Sequence, residues 1–283
     1  MTEFLPLVWQ HITLKQIFVS ISFDWYGAIS LDYRFMLISV HVLTKNSAAT
    51  LAETLMSLSA FPEVVVYDTG STDETLEIAS QFTNVKIHQA PMTGFGAAHN
   101  NAAVLCSNDW ILSIDSDEVL SPGLAQEILN LKLDSNCVYA ILRDNYFNGK
   151  KITFCAGWYP DWVVRLYNRH KTHFSNDIVH EKVETSDLRV IKLKSNLRHV
   201  PYRSMGDFLE KMQNYSSLFA VQHQGKKRSS FSIALLHSAL SFSKNYFFKR
   251  GILGGREGFI LSLYNAQTTY YKYLKLAELN KKL

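Results

Sequence analysis

The stretch that most limits how this 283-residue chain can fold is Trp110 to Leu120, WILSIDSDEVL, an apolar run that ends abruptly in Asp115, Asp117 and Glu118. A strand covered on both faces reads as continuous apolar residues rather than as alternation, so residues 110–114 predict a central strand of a mostly parallel sheet. In open α/β sheets ligands bind beyond the carboxyl ends of the strands, where Asp115, Ser116 and Asp117 would emerge. Carboxylates one residue apart at such an edge suit a hard divalent cation shared with substrate phosphates. The same residues also read as a solvated acidic turn, because Ser121 is a good N-cap and Pro122 suits the first helical position. Both readings stay open on this stretch alone.

From Met36 the pattern is regular. Residues 37–43 predict a first strand, 64–67 a second ending at Asp68, and 84–88 a third. Thr50 with Glu53 and Ser71 with Glu74 have capping-box spacing, which predicts helix starts there, and residues 97–106 predict a helix of small residues. Strands alternating with helices at this spacing imply βαβ units, so the expected fold class is α/β, a doubly wound, mostly parallel sheet with a C-terminal helical region. After a helix at 122–132 the rhythm changes. Strands are expected near 137–143, 151–155, 162–167 and 188–194 without helices between them, as antiparallel additions to the sheet. Helices then follow from about Ser204, at 229–249 and at 257–279.

The organisation expected is an N-terminal extension over 1–35, a nucleotide-sugar-binding and catalytic domain over 36–202, and a basic helical region over 203–283. Residues 1–35 are apolar and aromatic but are interrupted by polar residues before they reach the length of a membrane span, and Glu3 sits where a signal peptide carries a basic region. Met36 is therefore expected to be a natural start. At 47% apolar and 19% charged the chain is globular, and three widely spaced cysteines argue against a zinc site or a disulfide framework. Net charge is +4, yet residues 203–283 alone carry 13 Lys or Arg against 4 Asp or Glu, so the rest of the chain is acidic. A basic, aromatic C-terminal section points to an anionic partner such as a membrane surface, and no nucleic-acid motif accompanies the charge.

Three strand ends converge: Thr44-Lys45-Asn46, the run from Asp68 to Asp73 (DTGSTD), and Asp115-Ser116-Asp117. Together they describe a nucleotide pocket with a metal at its phosphate end, in which a buried Asp68 accepts the imide N–H of uracil. Taken singly, Asp68 reads as the start of an Asx turn and Asn46 as a helix cap. A dinucleotide-dependent oxidoreductase is disfavoured because Gly94-Phe95-Gly96 lacks the third glycine and follows the wrong strand. A non-catalytic nucleotide-binding membrane scaffold and a pyrophosphorylase-like enzyme are the other readings, though the latter wants a glycine-rich loop after the first strand.

This ordered set resembles glycosyltransferase family 2, the inverting nucleotide-sugar enzymes with a GT-A fold. Gly157 to Asp161, Val164 to Tyr167, Val179 to Glu181, Lys249 to Gly251 and Arg256 to Gly258 look like the lipopolysaccharide core β-1,4-glucosyltransferase branch. The resemblance implies that Thr44, Asn46, Asp68 and Asn100 contact the donor, that Asp115 meets ribose or metal, and that Asp117 holds a cation (Mg²⁺ or Mn²⁺) on the diphosphate of a UDP-sugar. His99 stands where relatives often carry Lys or Arg. Glu181 and Asp161 are the candidate bases, Glu181 favoured because His180 beside it would orient the loop or complete the metal shell. Asp161 is otherwise expected to pair with Arg165. Lys249, Arg250 and Arg256 are expected to meet the membrane or a lipid-linked acceptor on the inner, cytoplasmic face. The reaction implied is transfer of a hexose, glucose by the branch resemblance, to lipopolysaccharide core or a related envelope glycan.

Overall fold

The computed structural model describes residues 38–153, 158–175 and 181–281. The expectations placed on residues 1–35, Met36 and His180 lie outside the described residues.

Strands β1 (Ile38–Thr44), β2 (Val64–Asp68), β3 (Val85–Gln89) and β4 (Trp110–Asp115) pair in parallel in the order β3-β2-β1-β4. Strand pleating sends alternate side chains to opposite faces. Val40, Val42, Val64, Val66, Leu112 and Ile114 therefore share one core with helices α1 (Leu51–Ser57), α2 (Thr75–Ser80) and α4 (Pro122–Leu129). Val65 and Ile111 face the other way, onto Ala103 and Cys106 of α3 (Phe95–Leu105). Helices on both faces explain why β1, β2 and β4 are buried almost throughout, with even Ser39 and His41 of β1 shielded from solvent. β3 is the edge and is mostly exposed.

The second half adds β5 (Glu118–Leu120), β6 (Cys137–Phe147), β7 (Lys150–Lys151), β8 (Trp162–Asn168) and β9 (Arg189–His199), extending the sheet in the order β4-β8-β6-β9-β5, with β7 on β6. β8 runs antiparallel to both β4 and β6, as the sequence predicts, but β6 and β9 pair in parallel. Of the strand expected at 151–155, Lys151 lies in β7, which closes a hairpin on Tyr146 and Phe147, Ile152 and Thr153 are not in a strand, and 154 and 155 lie outside the described residues.

Two expected capping boxes are absent. The Thr50 hydroxyl donates to the Ser47 carbonyl and Glu53 pairs with Arg198, so neither caps α1. The Ser71 hydroxyl donates to Asp68, and Asp73 receives the Thr75 N–H instead. Ser121 does cap α4, accepting from the Leu124 N–H, with Pro122 following as expected. Ser204 and Asp207 form a complete capping box at the start of α5 (Met205–His223).

After α5 come α6 (Phe231–Ser243), a π turn (Lys244–Phe248), a 3-10 turn (Gly251–Gly254) and α7 (Gly255–Lys281). Phe147 and Ile152 from the β6–β7 edge, Phe208 from α5, and Leu261 and Tyr264 from α7 form one apolar cluster. The helical region is thereby seated on the catalytic half of the sheet through a shared core.

Candidate active site

The three strand ends meet on one rim. In register, Thr44 lies opposite Asp68 and Leu43 opposite Asp115. The loops beyond are cross-tied: Ser47 Oγ and Ser116 Oγ are 2.8 Å apart, the Ser47 N–H donates to Thr75 Oγ1 at 2.7 Å, and the Thr72 N–H donates to Asn46 Oδ1 at 2.8 Å. Asn46 takes a φ of 50°, a left-handed conformation that asparagine tolerates better than most residues.

Asp68 is fully buried, as expected, and its two oxygens accept from the backbone N–H groups of Gly70 and Ser71, the Ser71 hydroxyl and the Thr44 hydroxyl. Burial alone would raise its carboxyl, but these hydrogen bonds outweigh that and hold it below the ordinary value. Asp68 thus closes the Asx turn, with Thr44, itself buried, as a partner. What the loop presents outward is Gly70, Ser71 and Thr72, beside Asn46.

The acidic end of β4 is a clamp of charges. Arg165, from β8, bonds to both Asp115 and Glu118. Arg143, from β6, lies 3.1 Å from Glu118, 3.8 Å from Asp115 and 2.8 Å from Asp161. The Asp115 N–H also donates to Glu118 Oε2 at 3.0 Å. Burial would raise the Asp115 carboxyl, yet the Arg165 charge, with His99 and Arg143 behind it, holds it well below the usual carboxylate range. Burial would likewise lower Arg165, and Asp115 and Glu118 hold it charged. One expectation is corrected here: Asp161 pairs with Arg143 rather than with Arg165, whose charge is taken up by Asp115 and Glu118.

Asp161 leads on to Asp117. Asn145 donates through Nδ2 to Asp161 Oδ2 at 3.0 Å and to the Trp158 carbonyl at 2.8 Å, and Oδ1 of the same amide lies 2.5 Å from His199 Nδ1. Because the amide NH₂ already faces two acceptors, Nδ1 of His199 must carry the proton. The other ring nitrogen, Nε2, lies 3.5 Å from Asp117 Oδ2. Burial would raise the Asp117 carboxyl, and the His199 charge and hydrogen bond bring it below its ordinary value. Asp117 Oδ2 and His199 Nε2 face each other, and with Nδ1 tied to a carbonyl oxygen the pair offers two donors toward a divalent cation; among the described residues no cluster of three or more His, Cys, Asp or Glu stands ready to hold one. His199 was not foreseen, since a lone histidine at a strand end carries no motif.

Glu181 is half-buried, two residues before Val183, which bridges to Phe174. Burial pushes the hydroxyl of Tyr215 on α5 up, and the negative charges of Glu181, Tyr264, Asp115 and Asp117 add to that. Asn100 serves as a strut: its amide donates to the Phe174 carbonyl and accepts from the Phe174 N–H, both at 2.9 Å.

His99 is buried, stacked on Phe174 with ring centroids 4.3 Å apart, and 5.2 Å from the ring of His41. Burial pushes His99 down to about 4, with Arg165 lowering and Asp115 opposing, so it supplies no positive charge near neutral pH. Burial, His99 and Arg165 likewise hold His41 well below 6.5, and neither of its ring nitrogens has a hydrogen-bond partner among the described residues. Both histidines have folded values below the unfolded one. Stability is therefore fully present above about pH 6.5 and is lost as pH falls toward 4, by roughly 3 kcal/mol for His99 alone. Thermal midpoints measured across that window should fall less steeply in a His99→Phe variant than in the parent. Equal slopes would show that His99 is not held neutral.

Comparison with known proteins identifies the family. The model of the family "Glycosyl transferase family 2" matches residues 39–186. An uncharacterized glycosyltransferase of Rickettsia typhi is 31% identical over 261 residues, covering 87% of this chain and 88% of the relative. The lipopolysaccharide core biosynthesis glycosyltransferase LpsC of Rhizobium meliloti is 25% identical over 256 residues, covering 86% and 91%. Among solved structures, S. aureus TarS 1–349 in complex with UDP-GlcNAc matches 87% of this chain and 91% of its own at 17% identity, with a TM-score of 0.45. With a family model over half its length and a relative above 30% identity along most of it, the chain belongs to glycosyl transferase family 2.

Proposed function

We propose that this glycosyltransferase moves a hexose, glucose being the first candidate, from a UDP-sugar to a lipopolysaccharide core or related envelope glycan, with inversion and with help from a divalent cation. The observation that carries the reading is the register of β1, β2 and β4, which brings Asn46, the Gly70–Thr72 turn and Asp117 to one rim. The acceptor class rests on the similarity to LpsC, whose name assigns it to lipopolysaccharide core biosynthesis.

The uridine would lie across Asn46 and the 70–72 turn, with the diphosphate directed toward Asp117 and His199. A cation held there by Asp117 and His199 would offset the negative charge that develops on the departing diphosphate. Inversion requires a single displacement. Glu181 takes the proton of an acceptor hydroxyl as its oxygen bonds to the anomeric carbon. The bond from that carbon to the diphosphate oxygen breaks, and the electron pair leaves with UDP. Asp161, tied to Arg143 and Asn145, keeps the Asn145–His199 pair in place. Asp115 and Glu118 hold the two arginines that anchor β8 and β6 beside β4.

The test is a donor panel with purified protein, with and without Mg²⁺ or Mn²⁺, and with truncated lipopolysaccharide as acceptor. Transfer from UDP-glucose that stops on chelation is the expected result. Turnover only with another nucleotide, or transfer indifferent to metal, would reject the corresponding part of the assignment.

A further inference from the structure

Between Lys211 and Arg256 the chain holds eight Lys or Arg and no Asp or Glu. In the fold this stretch forms most of α5, all of α6 and the two turns that lead into α7. Large apolar side chains stand out of the same stretch: Leu236 and Leu240 on α6 are 59% and 57% exposed, Phe247 and Phe248 in the π turn 56% and 84%, and Ile252 and Leu253 in the 3-10 turn 51% and 61%. Lys244, Lys249, Arg250 and Arg256 flank them in sequence. A soluble surface rarely exposes so many large apolar groups together, and a rim made only of cations selects a negatively charged apolar partner.

The turns are held firmly on the body of the protein. Gly251 is packed so closely that a Cβ there would lie 2.6 Å from Ser262 Oγ and 2.8 Å from the Asn245 carbonyl oxygen. Glu257, the first acidic residue after the basic run, pairs with Lys150 of β7 at 3.1 Å. β7 closes the hairpin of β6, and β6 carries Arg143 and Asn145 into the active site. α7, which directly follows the exposed apolar turns, is thereby tied to the hairpin that carries the active-site groups. Among the described residues no helix is long and apolar enough to cross a membrane, so attachment through this face would be to one surface.

We propose that α6 and the turns from Lys244 to Gly254 dock this enzyme on an anionic lipid bilayer, with Phe247, Phe248, Ile252 and Leu253 entering the interface and Lys244, Lys249, Arg250 and Arg256 meeting the headgroups. This deepens the acceptor assignment, because it brings a lipid-anchored glycan to the hairpin that bears the site. Docking itself does not depend on the sugar transferred.

Flotation of the full chain with vesicles tests it. Vesicles of phosphatidylglycerol with phosphatidylethanolamine should carry the protein, pure phosphatidylcholine should not, and raised salt should release it. Charge reversal at Lys244 and Lys249, and separately Phe248→Ser with Ile252→Ser and Leu253→Ser, should each reduce bound protein by roughly tenfold or more. The apolar triple variant should keep its turnover on a deacylated, water-soluble acceptor and lose it on vesicle-borne acceptor. Flotation that ignores lipid charge, or that both variants retain, overturns the proposal. So does a parent protein that light scattering shows to be dimeric and the apolar variant to be monomeric with flotation unchanged, since the face then serves a second copy. Because flotation needs no transfer, its failure is separable from failure of the donor panel.

Discussion

An Arg165→Met variant should lose about 3 kcal/mol of folding stability, toward the lower end of what breaking a buried ion pair costs. The guanidinium is 7% exposed and is shared by Asp115 and by Glu118, which is fully buried. Methionine fills much of the volume but leaves two carboxylates facing each other with less positive charge between them. Arg143 remains 3.1 Å from Glu118 and 3.8 Å from Asp115, which keeps the loss from reaching the top of the range. Adding Glu118→Gln to Arg165→Met should restore a substantial part of the loss, because it removes the more deeply buried of the stranded charges. Urea unfolding of the parent, the single and the double variant measures this. A loss under about 1 kcal/mol would mean that the Arg165 network is a surface-like ion pair and not a buried one.

Glu181→Gln should lower kcat by roughly 10²–10⁴ while UDP-sugar binding is preserved, the signature of a lost general base. Asp161→Asn is the informative contrast. Asp161 holds Arg143 Nε at 2.8 Å and the Asn145 amide at 3.0 Å, so its replacement should disturb His199 through Asn145 and weaken the dependence of binding on metal. If Asp161→Asn alone abolished the chemical step with binding intact, and Glu181→Gln turned over nearly normally, the two roles would be exchanged.

Much of this fold is written in local patterns. The apolar runs of β2 and β4, the β-branched pattern of β1 and the Ser121-Pro122 helix start need only residues a few positions apart, and each falls where the pattern predicts. The active-site rim follows from them, because consecutive parallel strands place Thr44, Asp68 and Asp115 on the same edge. Partner choice was harder to see. Arg165 meets Asp115 and Glu118 because β8 lies antiparallel beside β4 with Leu166 opposite Leu112, a register set by tertiary packing. His199 reaches Asp117 because β9 pairs with β5, Glu118 opposite His199, across some eighty residues of chain. Local polar signals misled for a related reason. Ser71 has the spacing to cap a helix, yet a buried Asp68 three residues earlier is the stronger acceptor for its hydroxyl. Charge composition pointed toward the basic C-terminal section, but only the fold shows that its exposed apolar residues gather at α6 and the turns after it.

The central claim is that the ends of β1, β2 and β4 hold a uridine diphosphate with a cation between it and the Asp117–His199 pair. Titrating UDP into the full chain with and without Mn²⁺, for the parent and for Asp117→Asn, tests it most directly. Mn²⁺ should tighten UDP binding by roughly tenfold or more in the parent, and Asp117→Asn should erase that gain. UDP affinity that ignores both the cation and the substitution would contradict the account.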